Sequence, residues 1–184
     1  TLEQASGLPL HTGNPSGPPA MTAYAYGDPI GGFNSSCALL LGLLAQQRDG
    51  QGRHINMSQV EGMLSLAAPY IIEQSVTGQT GPRVGNRHAR HVPQGIYRTM
   101  GIDAWMLVSV QTLPQWQALC AVIGKPDWAS DPAFQTLEGR RERQDEIDQA
   151  IAAWCGHRSA DAALYTLQAA RVPAGEAKPI ASVM

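Results

Sequence analysis

Residues 28–67 constrain the fold of this chain more than any other stretch. Asp28-Pro29 heads a run in which Leu39, Leu40, Leu43 and Leu44 recur at helical spacing, and Asp49-Gly50 closes it. Asp suits an N-cap and Pro the first helical position, so a helix over residues 29–47 with a buried leucine stripe is expected. Residues 53–58 then alternate, with Ile55 and Met57 on one side and His54 and Asn56 on the other, the pattern of a short strand. Ser58-Gln59-Val60-Glu61 follows at once with the spacing of a capping box, and Val60, Met63, Leu64 and Ala67 give the second helix an apolar face. A strand between two helices needs neighbouring strands to cover it, so this half reads as part of a larger α/β layer.

The flanking stretches differ in kind. Residues 1–25 hold Ser6-Gly7, Thr12-Gly13-Asn14-Pro15 and Gly17-Pro18-Pro19, turn chemistry without periodicity, and are expected to form a long loop. Residues 77–92 form a second connection rich in Gly and Arg, and set the expected domain division at 1–80 and 81–184. Residues 94–99 and 105–110 read as a hairpin turning near Gly101. Thr112 then caps a helix with Pro114 early, and Trp116, Leu119, Cys120 and Ile123 keep one apolar face until Gly124. Asp131-Pro132 opens a short helix, residues 138–155 read as one longer helix with Ile147, Ile151 and Trp154 inward, and Ser159 caps a last one to Ala170. The fold class is therefore α/β: a helix-strand-helix part of a large domain, then a small domain of hairpin and helices.

Composition narrows the function. With 184 residues, 43% hydrophobic and 15% charged, the chain has the make-up of one or two globular domains. A formal net charge of −2 provides no surplus of Lys and Arg for a nucleic-acid backbone. The longest apolar run, residues 37–45 broken by Gly42, is far short of the roughly 20 residues that cross a bilayer. Cys37, Cys120 and Cys155 are widely spaced and read as reduced core thiols, not as metal ligands or a disulfide framework. No basic region followed by an apolar run marks a secretory signal, so a cytoplasmic location is expected. The loop-like start at Thr1 leads to the expectation of preceding sequence.

Asp28 is the strongest chemical candidate. A carboxylate at a helix start faces unpaired N–H groups and the positive end of the helix dipole, and it needs no general base to act as a nucleophile. Asp-Pro before an apolar helix is also a common plain N-cap. Gly31 and Gly32 shift the balance: each costs up to about 1 kcal/mol of helix propensity, and a missing Cβ lets a ligand approach the backbone. The basic residues Arg83, Arg87, His88, Arg90 and His91 lie on a flexible connection, either solvated or facing an anionic substrate. His54 and His157 read as structural or exposed, and Asp103, Asp127 and Asp131 as turn or cap residues.

The run Ala25-Tyr26-Gly27-Asp28, then Gly31-Gly32, then Arg48-Asp49-Gly50-Gln51-Gly52-Arg53, resembles the family III CoA-transferases, where an aspartate precedes a helix ending in an Arg-x-Gly-x-Gly turn. Arg83-Val84-Gly85-Asn86-Arg87-His88 and Pro93-Gln94-Gly95-Ile96-Tyr97 resemble two further boxes of that family, at the family's spacing. Trp116, Ile123-Gly124, Asp131-Pro132-Ala133-Phe134, Arg140, Trp154 and Val172-Pro173-Ala174-Gly175 are similar to its small-domain pattern. Several motifs in family order carry far more weight than one. The chain departs from the pattern at Ala89, at Gln94 and at Asp103-Ala104, changes that bear on substrate choice.

The resemblance implies a Rossmann-like large domain and transfer of CoA from an acyl-CoA thioester to a carboxylic acid through Asp28 as nucleophile. It implies substrate contacts at Gly31, Gly32, Asn86, His88, Gln94 and Gly95, no metal, and no tightly bound cofactor beyond coenzyme A or acyl-CoA as substrate. It also implies an interlocked homodimer, with no nucleic-acid or membrane partner. Residues holding the nucleotide of CoA lie upstream of this segment in the family, so little turnover is expected of the 184 residues alone. Two other readings stand beside it: proton transfer of the α-methylacyl-CoA racemase kind, and a truncated module without catalysis.

Overall fold

In the computed structural model, which describes residues 2–22 and 24–178, the chain divides into two units, Thr1–Gly85 and Asn86–Met184. The first unit holds helix α1 (Leu2–Ala5), a 3-10 turn (Leu8–Leu10), α2 (Gly27–Asp49) and α3 (Gln59–Thr77). The opening segment is therefore not simply the expected loop. It is closed by polar contacts: the buried carboxylate of Glu3 accepts from the Thr22 N–H at 2.8 Å and from its hydroxyl at 2.9 Å. Arg83 then donates to the carbonyls of Leu10, Asn14 and Gly17. Such side-chain-to-backbone closure leaves no period in the sequence, which is why the composition showed only turns.

Helix α2 ends at Gly50, whose φ of 73° is the left-handed cap that lets its N–H reach the Gln46 carbonyl. The Ser58 hydroxyl accepts from the Glu61 N–H and starts α3, while the reciprocal bond of a full capping box, from the Ser58 N–H to the Glu61 side chain, is not formed among the described residues. Two glycines allow α2 and α3 to approach. A Cβ at Gly31 would lie 2.8 Å from the Gln59 amide nitrogen, and one at Gly62 would lie 2.6 Å from that of Asn34. Residues 53–58 form no strand among the described residues; they run exposed and without regular structure, with Ile55 resting where a Cβ on Gly42 would meet it at 2.9 Å. Alternation supplies side chains for two faces, but a strand also needs a backbone neighbour. The leucine stripe departs from expectation too, since Leu39, Leu40, Leu43 and Leu44 are each about half exposed or more. In α3, Met63 and Ala67 are buried while Leu64 is exposed.

The second unit is built on an antiparallel sheet in the order β1-β2-β3, from β1 (Gln94–Arg98), β2 (Trp105–Ser109) and β3 (Ala174–Ala177). The β1–β2 pair is the expected hairpin, with Gly95 opposite Val108 and Tyr97 opposite Met106. These four are buried while Ile96 and Leu107 face out, so one side of the sheet carries the core. Strand β3 was not legible, because Ala-Gly-Glu-Ala has neither β-branched residues nor alternation, and its pairing to β2 alone defines it.

The helices of this unit are α4 (Leu113–Val122), α5 (Pro132–Gln135), α6 (Leu137–Glu142), α7 (Gln144–Gly156) and α8 (Ala160–Ala169). Thr112 and Gln115 form a reciprocal capping box on α4, and the Asp131 carboxylate accepts from the Ala133 N–H at 2.9 Å to start α5. The long helix expected over residues 138–155 is two helices, broken at Arg143. Thr136 caps the first piece, whose inward residue is the polar Arg140, whereas α7 turns Ile147, Ile151 and Trp154 to the core. Trp116, Trp128 and Phe134 form an aromatic cluster, with Phe134 4.9 Å from Trp128 and 5.5 Å from Trp116 between centroids. Full burial of such side chains contributes roughly 1.5–3 kcal/mol each, so this unit carries its own core. Cys120 and Cys155 lie in it; Cys37, expected there as well, is exposed on α2 because that face of the helix is uncovered.

Among the described residues no helix is long and apolar enough to cross a membrane, and no cluster of His, Cys, Asp and Glu is placed to hold a metal ion.

Candidate active site

Helix α2 begins earlier than Asp28. Tyr26 already has helical backbone angles, and the Asp28 and Ile30 N–H groups donate to the carbonyls of Ala25 and Tyr26. Asp28 is thus the second helical residue rather than the cap, and its side chain caps nothing. Pro29 fits the third position, where a missing N–H costs no helical bond. Among the described residues the Asp28 carboxylate has no hydrogen-bond or ion-pair partner, and it is exposed. It lines an open concavity of about 510 Å³ with Tyr24, Ala25, Tyr26 and Pro29. The Tyr24 and Tyr26 rings stand 6.2 Å apart at 51°, forming an aromatic wall that the sequence reading did not single out as a wall.

The paired glycines divide their work. Gly31 is buried and filled by the Gln59 side chain, which accounts for it by packing. Gly32 is exposed, and a Cβ there would meet nothing within 4 Å. Residues four apart on a helix share a face, so Gly32 lies one turn beyond Asp28 with open space over both. Gly27, by contrast, is covered by Leu2 of α1, whose Cδ1 would be 2.7 Å from a Cβ at that position. The start of α2 is therefore pinned on one side by α1 and α3 and bare on the side bearing the carboxylate.

The other sequence candidates belong to the second unit. Asn86 and His88 are exposed on the connection before β1. Gln94 spans the hairpin, its side-chain oxygen accepting from the Ser109 hydroxyl at 3.1 Å. Gly95 is buried because a Cβ would stand 2.7 Å from the Tyr97 hydroxyl oxygen, and that hydroxyl in turn donates to Asp148 at 2.7 Å. Burial and the neighbouring Asp148 carboxylate together push the Tyr97 hydroxyl well above its ordinary range.

The connection expected to be flexible is tied down instead. Arg87 pairs with Asp145 and, at 2.8 Å, with Asp148 of α7, and the Asp145 bond raises its guanidinium further. Arg140, buried over the face of Trp116, donates to the Val92 and Phe134 carbonyls at 2.9 and 2.8 Å, and Arg141 donates to the Ala89 carbonyl. Burial lowers the Arg140 guanidinium. These anchors lie about 50 residues away in sequence, a separation that no local pattern reports.

Comparison with known proteins bears on the family and the fold. The model of CoA-transferase family III matches residues 1–184. The succinyl-CoA–D-citramalate CoA-transferase of Chloroflexus aurantiacus is 32% identical over 173 residues, which are 94% of this chain and 43% of that protein. The acetyl-CoA:oxalate CoA-transferase of Acetobacter aceti is 31% identical over 177 residues, 95% of this chain and 45% of that protein. A CaiB/BaiF family protein from Brucella suis shares the fold, with a TM-score of 0.89 at 24% identity over 99% of this chain and 48% of its own. The chain spans about half the length of the relatives it matches. On the extent of the family match and the identity to these relatives, the chain belongs to CoA-transferase family III.

Proposed function

We propose that this chain carries the nucleophile of an acyl-CoA:carboxylate CoA-transferase, and that the nucleophile is Asp28. The observation that carries the reading is the exposed Asp28 carboxylate, without a hydrogen-bond or ion-pair partner among the described residues, at an aromatic-walled concavity beside the open face left by Gly32. A carboxylate oxygen attacks the thioester carbonyl, the C–S bond breaks, and CoA leaves as a thiolate, giving an acyl-aspartyl anhydride. The thiolate attacks the aspartyl carbonyl of that anhydride, releasing the donor acid and leaving an aspartyl-CoA thioester. The acceptor carboxylate attacks this thioester, and the thiolate freed again opens the second anhydride on the acceptor side, which regenerates Asp28. Gly31 and Gly32 lie beyond the first turn of α2, whose N–H groups alone lack an intrahelical carbonyl, so Gly32 offers the substrate space rather than an oxyanion donor.

In this reading the first unit is part of a Rossmann-like large domain and the second is the small domain. The apolar faces of α2 and α3 support it, because they have the composition of buried surface and no cover among the described residues. Coenzyme A enters as substrate, and an interlocked homodimer in the cytoplasm is the proposed working form.

The test is transfer activity in the complete polypeptide with succinyl-CoA and oxalate as probe substrates. Asp28→Asn and Asp28→Ala are expected to abolish turnover while the helical content stays intact. Turnover within a few-fold of the parent in Asp28→Ala contradicts the assignment, and α-deuterium exchange without transfer points to the racemase chemistry instead.

A further inference from the structure

We propose that the side-chain amide of Gln59 donates to an acyl oxygen of the thioester held at Asp28, and that position 31 is a glycine because this amide lies across it. The inference rests on the reading of Asp28 as nucleophile and adds a donor, which that reading lacks.

Gln59 is the first residue of α3, and the Ser58 hydroxyl, accepting from the Glu61 N–H, fixes the turn that carries it. From there its side chain lies along α2. A Cβ at Gly31 would stand 2.9 Å from its Cγ, 3.2 Å from its Cδ and 2.8 Å from its Nε2. Stem and amide thus fill the volume that a side chain at position 31 would take, and the α2 backbone beneath them limits where the amide can turn. Gln59 is nonetheless exposed, and its amide makes no hydrogen bond among the described residues, which leaves two N–H donors for a ligand.

The amide flanks the carboxylate. At about 100° per residue, Asp28 projects from α2 between Gly31, about 60° to one side, and Gly32, about 40° to the other. One side of Asp28 is therefore bordered by the Gln59 amide and the other by the open space over Gly32. Cβ atoms three residues apart on a helix are about 5–6 Å apart, so Nε2 lies within about 9 Å of the Asp28 Cβ. A carbonyl oxygen on a carbon bonded to the carboxylate stands four bonds out, roughly 4–5 Å from that Cβ. A hydrogen bond of about 2.9 Å from there ends inside the range that holds the amide. Asn34 is the contrast: its amide also lies over a glycine, 2.6 Å from where a Cβ on Gly62 would be, but it is half-buried and about 120° round α2 from Asp28. Asn34 packs the seam between the helices, and Gln59 stands at the edge of that seam beside the carboxylate.

Transfer to oxalate by the complete polypeptide, from succinyl-CoA and separately from butyryl-CoA, tests the amide. Gln59→Met keeps the unbranched stem on Gly31 and removes both donors; kcat with succinyl-CoA is expected to fall about 100-fold, with KM within about twofold and the thermal midpoint as in the parent. Gln59→Asn, an amide one methylene shorter, should recover part of that rate, and Asn34→Ala should keep kcat within about twofold. An equal loss with both thioesters assigns the bond to the carbonyl oxygen, and a loss confined to succinyl-CoA assigns it to the far carboxylate of the acyl group. Parent-like kcat in Gln59→Met, or the same loss in Asn34→Ala, overturns the proposal. Hydroxylamine trapping separates it from the chemistry of Asp28: labelling of Asp28 in Gln59→Met at the parent's rate removes the donor and leaves the nucleophile standing, whereas an unlabelled Asp28 in the active parent removes both.

Discussion

The two units use the same local signals to opposite effect. In the second, the apolar positions of α4, α7 and α8 end up buried against the sheet, and Trp116, Leu119, Phe134, Ile147, Ile151 and Leu167 are fully enclosed. In the first, the leucines of α2 follow a helical period just as clear, yet Phe33, Leu40, Leu41 and Leu44 stand more than half exposed. Periodicity decides that a helix forms and which face is apolar; burial depends on what lies opposite. The site candidates follow the same division. The carboxylate sits on the unit with an uncovered apolar surface, and the anchored loop sits on the unit with a complete core.

Substitution in the cores measures the contrast most strongly. Phe134→Ala is expected to cost about 3–5 kcal/mol, because it removes the centre of the aromatic cluster. Leu40→Ala in the same chain should change stability by less than about 0.5 kcal/mol, since little contact is lost. All four tryptophans, Trp105, Trp116, Trp128 and Trp154, lie in the second unit, so denaturant unfolding followed by their fluorescence reports that unit, and far-UV circular dichroism adds α2 and α3. A Leu40→Ala cost comparable to that of Phe134→Ala would break the comparison.

Alkaline pH should separate the units next. Burial pushes the Cys120 thiol from 9.0 up to about 12 and the Cys155 thiol from 9.0 up to about 11. Below pH 9.0 the folded and unfolded chains both keep these protons, and the thiols add no pH dependence. From there to about 11 and 12 the unfolded chain releases protons that the folded chain retains, so stability falls as pH rises. Tyr97, raised by burial and Asp148, acts in the same sense. Denaturation midpoints by tryptophan fluorescence on either side of pH 9.0 check the slope, which Cys120→Ala with Cys155→Ala should flatten. Exposed Cys37 should react with a thiol reagent in the native protein, whereas the buried pair should react only after unfolding.

The smallest effect sharpens the division between the paired glycines. Gly32→Ala should raise helix stability by about 0.5–1 kcal/mol, because Ala is the better helix former and the space is open. Gly31→Ala should lose that gain, since the new Cβ must displace the Gln59 side chain. Thermal melts followed by circular dichroism distinguish them. A stabilised Gly32→Ala protein with impaired transfer would mark the open face as substrate space.

Much of this was legible. The caps Ser58, Thr112, Asp131 and Ser159 all accept the N–H bonds their spacing implied, and the hairpin took its expected partners. These are local matters, decided by residues a few positions apart. Most of the failures are non-local: residues 53–58 lack a ladder neighbour, β3 exists only through β2, and the loop of His88 is anchored by α6 and α7, whereas the break at Arg143 is local. At the proposed site, the spacing set Asp28 at the start of α2 but misread its position as a cap, because an extra turn at Tyr26 is held by Ala25 and by the packing of Leu2 on Gly27. The exposure of the carboxylate beside Gly32 could be seen only in three dimensions.

The central claim is that the Asp28 carboxylate becomes covalently bonded to a thioester carbonyl. Incubation with succinyl-CoA, quenching with hydroxylamine and peptide mass spectrometry should yield an aspartyl hydroxamate at position 28 and at no other carboxylate. An unmodified Asp28 in protein that is consuming the thioester, or a hydroxamate at a different residue, would contradict the account.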